Sequence, residues 1–425
     1  MHESTQRLLC RAAFLLVCVA PTFCTLAWIA YRHSDMATAA VEHRLSERIG
    51  LRCHLDRYYN PRPDLHVFEG LRLDVAGAPA VTIGLLKAER IDQVWHLTGP
   101  SSEVVWAHRR RLWETLQEPA GGTSAWPGQP VRLAIGEITF SDLDLPTMGR
   151  FQLKAAPPQQ GSGFPEIHAQ AQLTKESNSP AVRLNLSRGA EPSGPLEVQF
   201  QTDDQGVPVT YLARFSPHLE GLGSQALYQG KITWHGTSPA PAVELQGVFR
   251  QVDLQPLLTQ AYQIHATGLV DLHLELARLR GENITQAHGW ITGRDGQVAG
   301  HFAAQAAQSL GLQTVLPTEE LAQDLVAYHQ LALEFLLERG ELSIAGYCDD
   351  MPPGTLLAGL NRPILGQPPL QRQPATNLVS ALFPPESHTN GPTVPATRRS
   401  VILARWLSPE PVVEMAEAER PVERR

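Results

Sequence analysis

Lysine is almost missing from this 425-residue chain: it has four, against 31 arginines. Charged residues amount to only 18% and the net charge is −8. There is no basic face of the kind a nucleic-acid backbone requires, so nucleic acid is not an expected partner. The excess of arginine over lysine reads as the codon bias of a GC-rich genome. The one dense basic run, Arg109–Arg111, reads as a solvated face. Cysteine is scarce too. Of the five, Cys10, Cys18 and Cys24 lie in or beside the apolar N-terminal stretch, and none is spaced as Cys-x-x-Cys. That spacing would be needed for a zinc ribbon or a thioredoxin-like centre. Cys53 and Cys348 are the two in the body, and an oxidising compartment would allow them to pair.

Catalytic motifs are missing as well. The chain has no Gly-x-Ser-x-Gly elbow, no Walker loop and no Gly-x-Gly-x-x-Gly after a strand. Its sixteen histidines show neither His-x-x-x-His nor His-Glu-x-x-His spacing. Asp349-Asp350 precedes Met351-Pro-Pro and reads as a turn, not as a carboxylate pair for acid/base work. The expectation is therefore a protein without catalytic, cofactor-binding or metal-ligating residues, and not an enzyme.

One long apolar run is present. Ala12 to Ala30 is 19 residues without a charge, enough to cross a hydrocarbon core of about 30 Å as a helix. Arg7 and Arg11 precede it, and Trp28, Tyr31, Arg32 and His33 follow it at headgroup level. Pro21 is a natural kink and a poor context for signal cleavage. The run is expected to be an uncleaved anchor over 12–30. Residues 1–11 would then be cytoplasmic and the body extracytoplasmic, in a bacterial inner membrane with the body in the periplasm.

Beyond the anchor, Met36–Ile49 has helical spacing and stops at Gly50. From Leu51 onward short strands prevail. Leu65–Leu73, Val131–Ile135, Leu196–Phe200 and Val207–Tyr211 alternate apolar and polar residues. In Val270-Asp-Leu-His-Leu-Glu-Leu276 four apolar residues face one way, and Asp271, His273 and Glu275 face the other. Alternation of this kind marks a sheet that is packed on one face and wet on the other, usually antiparallel. Helices are expected only at Asp253–Tyr262, His301–Gly311 and Thr318–Leu325. Glu118–Pro130 and Ala155–Pro165 read as long loops. The predicted organisation is a juxtamembrane helix with an N-terminal β region (36–117), a middle β region (131–260), a C-terminal β module with helices (265–360) and a proline-rich, partly disordered tail (361–425).

Two blocks carry a resemblance. Val41–Asp74 runs from a helix through Arg48-Ile-Gly50 and the strand Leu51–Leu55 to Phe68-Glu-Gly-Leu-Arg-Leu73. Gly268–Leu312, continued by Leu342-Ser-Ile-Ala-Gly346, sets glycine-bearing strands before a helix. Together they cover about a fifth of the chain and resemble the AsmA-like family of bacterial envelope proteins, the AsmA/TamB group, in its divergent planctomycete-type members. The resemblance implies a curled, groove-like β-sheet with an apolar lining, and a role in phospholipid transport or envelope lipid homeostasis. The expected fold class is thus mainly β with a few short helices: a transmembrane helix followed by a curled, largely antiparallel sheet. Phospholipid would be the ligand, and Val67, Leu133, Val198, Val270, Leu272 and Leu274 would face it. The competing expectation is an envelope scaffold that binds protein partners through its β surface.

Overall fold

The computed structural model describes residues 12–383, apart from 33, 110, 113–128, 144, 146, 158–164, 175, 177–178, 189–195, 215–216, 237–241, 261–263, 282, 318–319, 321–323 and 367–371, together with Leu407. The expected cytoplasmic segment 1–11, the charged end of the tail, and most of the Glu118–Pro130 loop, the Ala155–Pro165 loop and the Thr318–Leu325 helix lie outside the described residues. The chain divides into two compact units, Met1–Glu197 and Val198–Arg425. The expected middle region 131–260 is therefore shared between them.

The N-terminal unit begins with α1 (Ala12–Tyr31), a helix long and apolar enough to cross a membrane, with none of its residues buried. Pro21 cannot donate to the turn before it. That turn, Leu15–Val19, widens to π geometry, with the Ala20 N–H bonded to the Leu15 carbonyl five residues back. The Thr22 and Thr25 hydroxyls donate to the Cys18 and Pro21 carbonyls at 2.7 and 2.8 Å.

Helix α2 (Asp35–Ile49) ends where Gly50 adopts φ 77° and its N–H bonds to the Ser46 carbonyl, the left-handed cap that glycine favours. The helix is tied to the chain that follows. Ser46 Oγ accepts the Cys53 N–H at 2.8 Å, and Glu42 Oε1 accepts the Leu55 N–H at 2.6 Å. Its apolar side, Val41 and Leu45, packs on the cluster of Leu55, Leu71, Ile83, Leu86 and Ile135.

Nine strands follow: β1 (Arg52–His54), β2 (Arg57–Arg62), β3 (Leu65–Val75), β4 (Ala78–Ile91), β5 (Val94–Val104), β6 (Val131–Phe140), β7 (Met148–Ala156), β8 (Glu166–Gln172) and β9 (Ala181–Arg188). β3–β4–β5 and β6–β7–β8–β9 are antiparallel meanders, and β5 and β6 lie side by side in parallel. Gly70, in the middle of β3, has φ 64°, and a Cβ there would collide with the Asp56 carboxylate.

The C-terminal unit holds most of β10 (Leu196–Thr202), then β11 (Val207–Pro208), α3 (Val209–Ala213), β12 (Leu227–Gly236), β13 (Ala242–Asp253), β14 (Ala266–Arg280), β15 (Asn283–Val298), α4 (Gly300–Ser309), β16 (Gln313–Thr314), β17 (Val326–Glu338), β18 (Glu341–Gly346), β19 (Thr355–Ala358), β20 (Pro363–Gly366), β21 (Gln373–Pro374) and α5 (Thr376–Leu382). β12–β13–β14–β15–β17–β18 form an antiparallel meander. Both units thus adopt the expected class, mainly β with few helices and largely antiparallel strands.

Three local expectations are corrected. Val207–Tyr211 is not a strand. Pro208 lacks the N–H that a ladder needs, so pairing stops there and α3 begins at Val209. The Asp253–Tyr262 helix is a single π-type turn, Gln255–Gln260. The ordered body does not end at residue 360. Pro363 opens β20, where its missing donor costs least, and Ile364 and Leu365 are buried. α5 packs on the body through Leu378 and Val379, and Leu407 is 5% exposed in the same cluster. Asp349 and Asp350 lie in a turn, as read from the sequence.

Candidate functional site: an apolar sheet face

Side chains of directly paired residues share a face, so the registers sort every strand residue into one of two faces. In the C-terminal unit three registers give one apolar face. Tyr228, Phe249, Leu272, Ile291 and Leu333 pair in succession across β12, β13, β14, β15 and β17. Gly230, Gly247, Leu274, Gly289, Phe335 and Ile344 form the next row, extended to β18. Ile232, Leu245, Ala277, Ala287, Leu337 and Leu342 form the third.

The opposite face is polar. His273 pairs with Trp290, which pairs with Glu334, and the His273 and Trp290 rings stack at 4.9 Å. Beside them His288 bridges two carboxylates, Nδ1 to Glu275 at 2.7 Å and Nε2 to Glu334 at 2.9 Å. The hydrogen bond that His288 donates to Glu334 raises its pKa, burial opposes that rise, and the charge and hydrogen-bond acceptance of Glu275 add to it.

This sorting corrects the reading of β14. Val270, Leu272 and Leu274 share the apolar face, but Leu276 does not. The register shifts between Leu274 and Leu276: Leu274 pairs with Gly289, and Leu276 pairs with His288. A bulge at Glu275 therefore turns Leu276 to the polar face, and Ala277 takes over the apolar one.

Two of the apolar clusters are partly roofed. Leu212, Leu219, Leu222 and Leu257 pack against the cluster of Tyr228, Phe249, Val252 and Val270. Leu378, Val379 and Leu407 pack against that of Ala277, Ala287, Leu337 and Ile344. Between them a strip stays half-exposed: Ile232, Leu245, Leu272, Leu274, Ile291, Leu333 and Phe335. At its end Trp234, which pairs with Val243, is 52% exposed.

The six predicted lipid-facing residues divide as follows. Val270 is buried, and Leu272 and Leu274 lie in the half-exposed strip. Val198 is half-buried on β10, and strand alternation puts it on the side of Phe200, which packs beside Tyr228 and Phe249. In the N-terminal unit, Leu133 lies in the row His66, Ala88, Leu97, Leu133, Leu153, Ala169, Leu184. Val67 does not share that face. Its row is Tyr59, Val67, Lys87, Thr98, Ala134, Gln152, and Val67 itself is 3% exposed. Sequence reading missed Leu245, Ile291, Leu333 and Phe335. The run Leu331-Ala-Leu-Glu-Phe-Leu-Leu337 carried a signal for the last two.

A cleft of about 870 Å³ is lined by Tyr328, His329, Asp295, Leu360, Arg362 and Ile364. His329 Nδ1 is 2.6 Å from Asp295 Oδ1, and Arg362 is engaged by both carboxylate oxygens of Glu320. Among the described residues no group of three His, Cys, Asp or Glu is placed to hold a metal ion. Cys53 and Cys348 are buried free thiols, not a disulfide. Burial pushes both thiols up in pKa, away from the reactive thiolate. No protein-family model, no curated protein and no solved structure matches the chain.

Proposed function

We propose that this protein is a membrane-anchored, non-enzymatic lipid-binding protein of the AsmA-like type, which holds or passes on phospholipid acyl chains in the bacterial periplasm. One observation carries the reading. The apolar face of the C-terminal sheet runs unbroken through paired rows from β12 to β17, yet Leu245, Leu272, Leu274, Ile291 and Leu333 are only partly buried. An apolar surface left partly exposed gains by accepting an apolar guest. Each methylene moved out of water contributes about 0.8 kcal/mol. The helix α1 supports the same reading, because as an anchor it would hold the chain at a reservoir of lipid.

The test uses the full chain, retained in membranes after a high-salt wash, with a photo-crosslinking side chain at one position at a time. Probes at Leu272 and Leu333 should capture phospholipid, and probes at Asp271 and Glu334, their neighbours on the polar face, should capture little. Folded protein with no lipid adduct at either apolar position would end the proposal. The scaffold reading keeps one observation in its favour. Leu360 is 77% exposed at the Gly359–Arg362 turn, and Val315 is 53% exposed, an apolar tip suited to a protein partner.

A further inference from the structure

The polar face of the C-terminal sheet holds a cleft that the apolar face does not explain. It measures about 390 Å³ and is lined by Asp271, Thr292, Arg294, Gln330, Tyr347 and Asp349. The register builds its floor. Asp271 pairs with Thr292, and one step along the strands Leu269, Arg294, Gln330 and Ala358 pair in succession. The chain leaving β18 supplies a wall. The Tyr347 N–H bonds to the Ala332 carbonyl at 3.1 Å and the Cys348 N–H to the Thr355 carbonyl at 3.0 Å. Cys348 itself is buried with Ala332 and Ala358. Tyr347 stays 43% exposed, and Leu269, which also lines the cleft, is 45% exposed. The two carboxylates are held in place: the Gln251 N–H donates to Asp271 Oδ1 at 2.9 Å, and Gln330 Nε2 donates to Asp349 Oδ2 at 3.1 Å. Each keeps a second oxygen for a further donor.

We infer that this cleft binds a pyranose unit of a neutral glycan, through the Tyr347 ring and the polar groups of Asp271, Thr292, Arg294, Gln330 and Asp349. The inference is independent of the lipid reading. The lining selects the chemistry. The carboxylates accept, Arg294 donates, and Thr292, Gln330 and the Tyr347 phenol do both. Neighbouring sugar hydroxyls are each donor and acceptor, so one ring satisfies all of these groups together. An ion suits the lining less well. Asp271 and Asp349 repel an anion drawn to Arg294, and Arg294 repels a cation drawn to the carboxylates. The exposed Tyr347 ring and Leu269 offer the apolar platform on which the C–H face of a sugar lies. Burial raises the Tyr347 pKa, and nearby Glu334, Cys348 and Asp349 raise it further, so the phenol keeps its proton. The volume is at the small end of ligand sites, about 300–1,000 Å³, and suits a sugar ring. Two residues further along the same strands, roughly 7 Å away, the stacked rings of His273 and Trp290 continue the platform for a second sugar unit.

The test applies the full-length protein, in a detergent without a sugar headgroup, to a panel of immobilised oligosaccharides of glucose, galactose, mannose and N-acetylglucosamine. The native protein should bind at least one of them. Tyr347→Ala and Asp349→Asn should each weaken that binding about tenfold. Tyr347→Phe keeps the platform and should weaken it by less than about threefold. Unfolding midpoints are measured for every variant. Should Tyr347→Ala lower its midpoint, Asp349→Asn and the near-isosteric Thr292→Val decide the matter. Folded native protein that binds no sugar in the panel would overturn the inference. So would binding that survives Asp349→Asn and Thr292→Val unchanged, since the sugar would then sit elsewhere. Phospholipid capture at Leu272, on the opposite face, is unaffected by these variants, so the glycan site and the lipid reading fail separately.

Discussion

The bulge in β14 makes a sharp prediction, because it assigns opposite faces to two leucines that simple alternation puts together. Leu274 is half-buried among Phe249, Ile291 and Phe335 in register with Gly247 and Gly289. Leu274→Asp removes part of a leucine's burial, about 1 kcal/mol of the 1.5–3 that full burial is worth. It also sets a carboxylate against an apolar face without a partner, about 2 kcal/mol more. The sum is about 3 kcal/mol. In a unit of this size that corresponds to a fall of roughly 6–12 °C in Tm. Leu276 faces the polar side beside His288, so Leu276→Asp keeps its carboxylate on a solvated polar face and should cost within about 1 kcal/mol. Thermal unfolding in detergent, followed by circular dichroism, reads both. Equal losses, or a larger loss at Leu276, would show that the strand alternates without a bulge and that the three-row apolar face is drawn wrongly.

Two further outcomes follow from other contacts. A Cβ at Gly296 would collide with the Thr267 carbonyl oxygen and the Tyr328 hydroxyl, which donates to that same carbonyl; Gly296→Ala should therefore cost about 2–3 kcal/mol, measured as a lower urea midpoint at unchanged slope, and an unchanged midpoint would remove the close packing of β14 against β15. The pKa of His288 is raised by Glu334 and Glu275, so its contribution is fully present below the unfolded value near 6.5 and is lost as pH rises through the raised one. His288→Gln should lower Tm at pH 5.5 and converge with the native protein above pH 8, by no more than about 1 kcal/mol for so exposed a group, whereas a gap that widens with pH would contradict the bridge.

Much of the fold was legible because its cause is local. The apolar helix α1 follows from 19 uncharged residues, α2 from its period and the Gly50 stop, and most strands from alternation. What could not be read depends on partners distant in sequence. Alternation assigns a residue to one of two faces within its own strand, but it cannot say which face of that strand meets which face of the next. Val67 and Leu133 both looked inward in their own segments, yet pairing through Lys87 and Thr98 to Ala134 puts Val67 on the side opposite Leu133. A bulge hides in the same way. Nothing in Leu274-Glu-Leu276 marks the shifted register, because it is imposed by Gly289 and His288 on the neighbouring strand.

The half-exposed strip was harder still to foresee, since it depends on where the short helices stop. Leu212, Leu219, Leu222 and Leu257 roof one cluster, and Leu378, Val379 and Leu407 roof another. Leu272, Ile291 and Leu333 are no less apolar than the residues under those roofs. Their openness is set by the reach of the roofing segments and not by their own chemistry. It follows that lengthening a roof should close the strip without altering any residue in it.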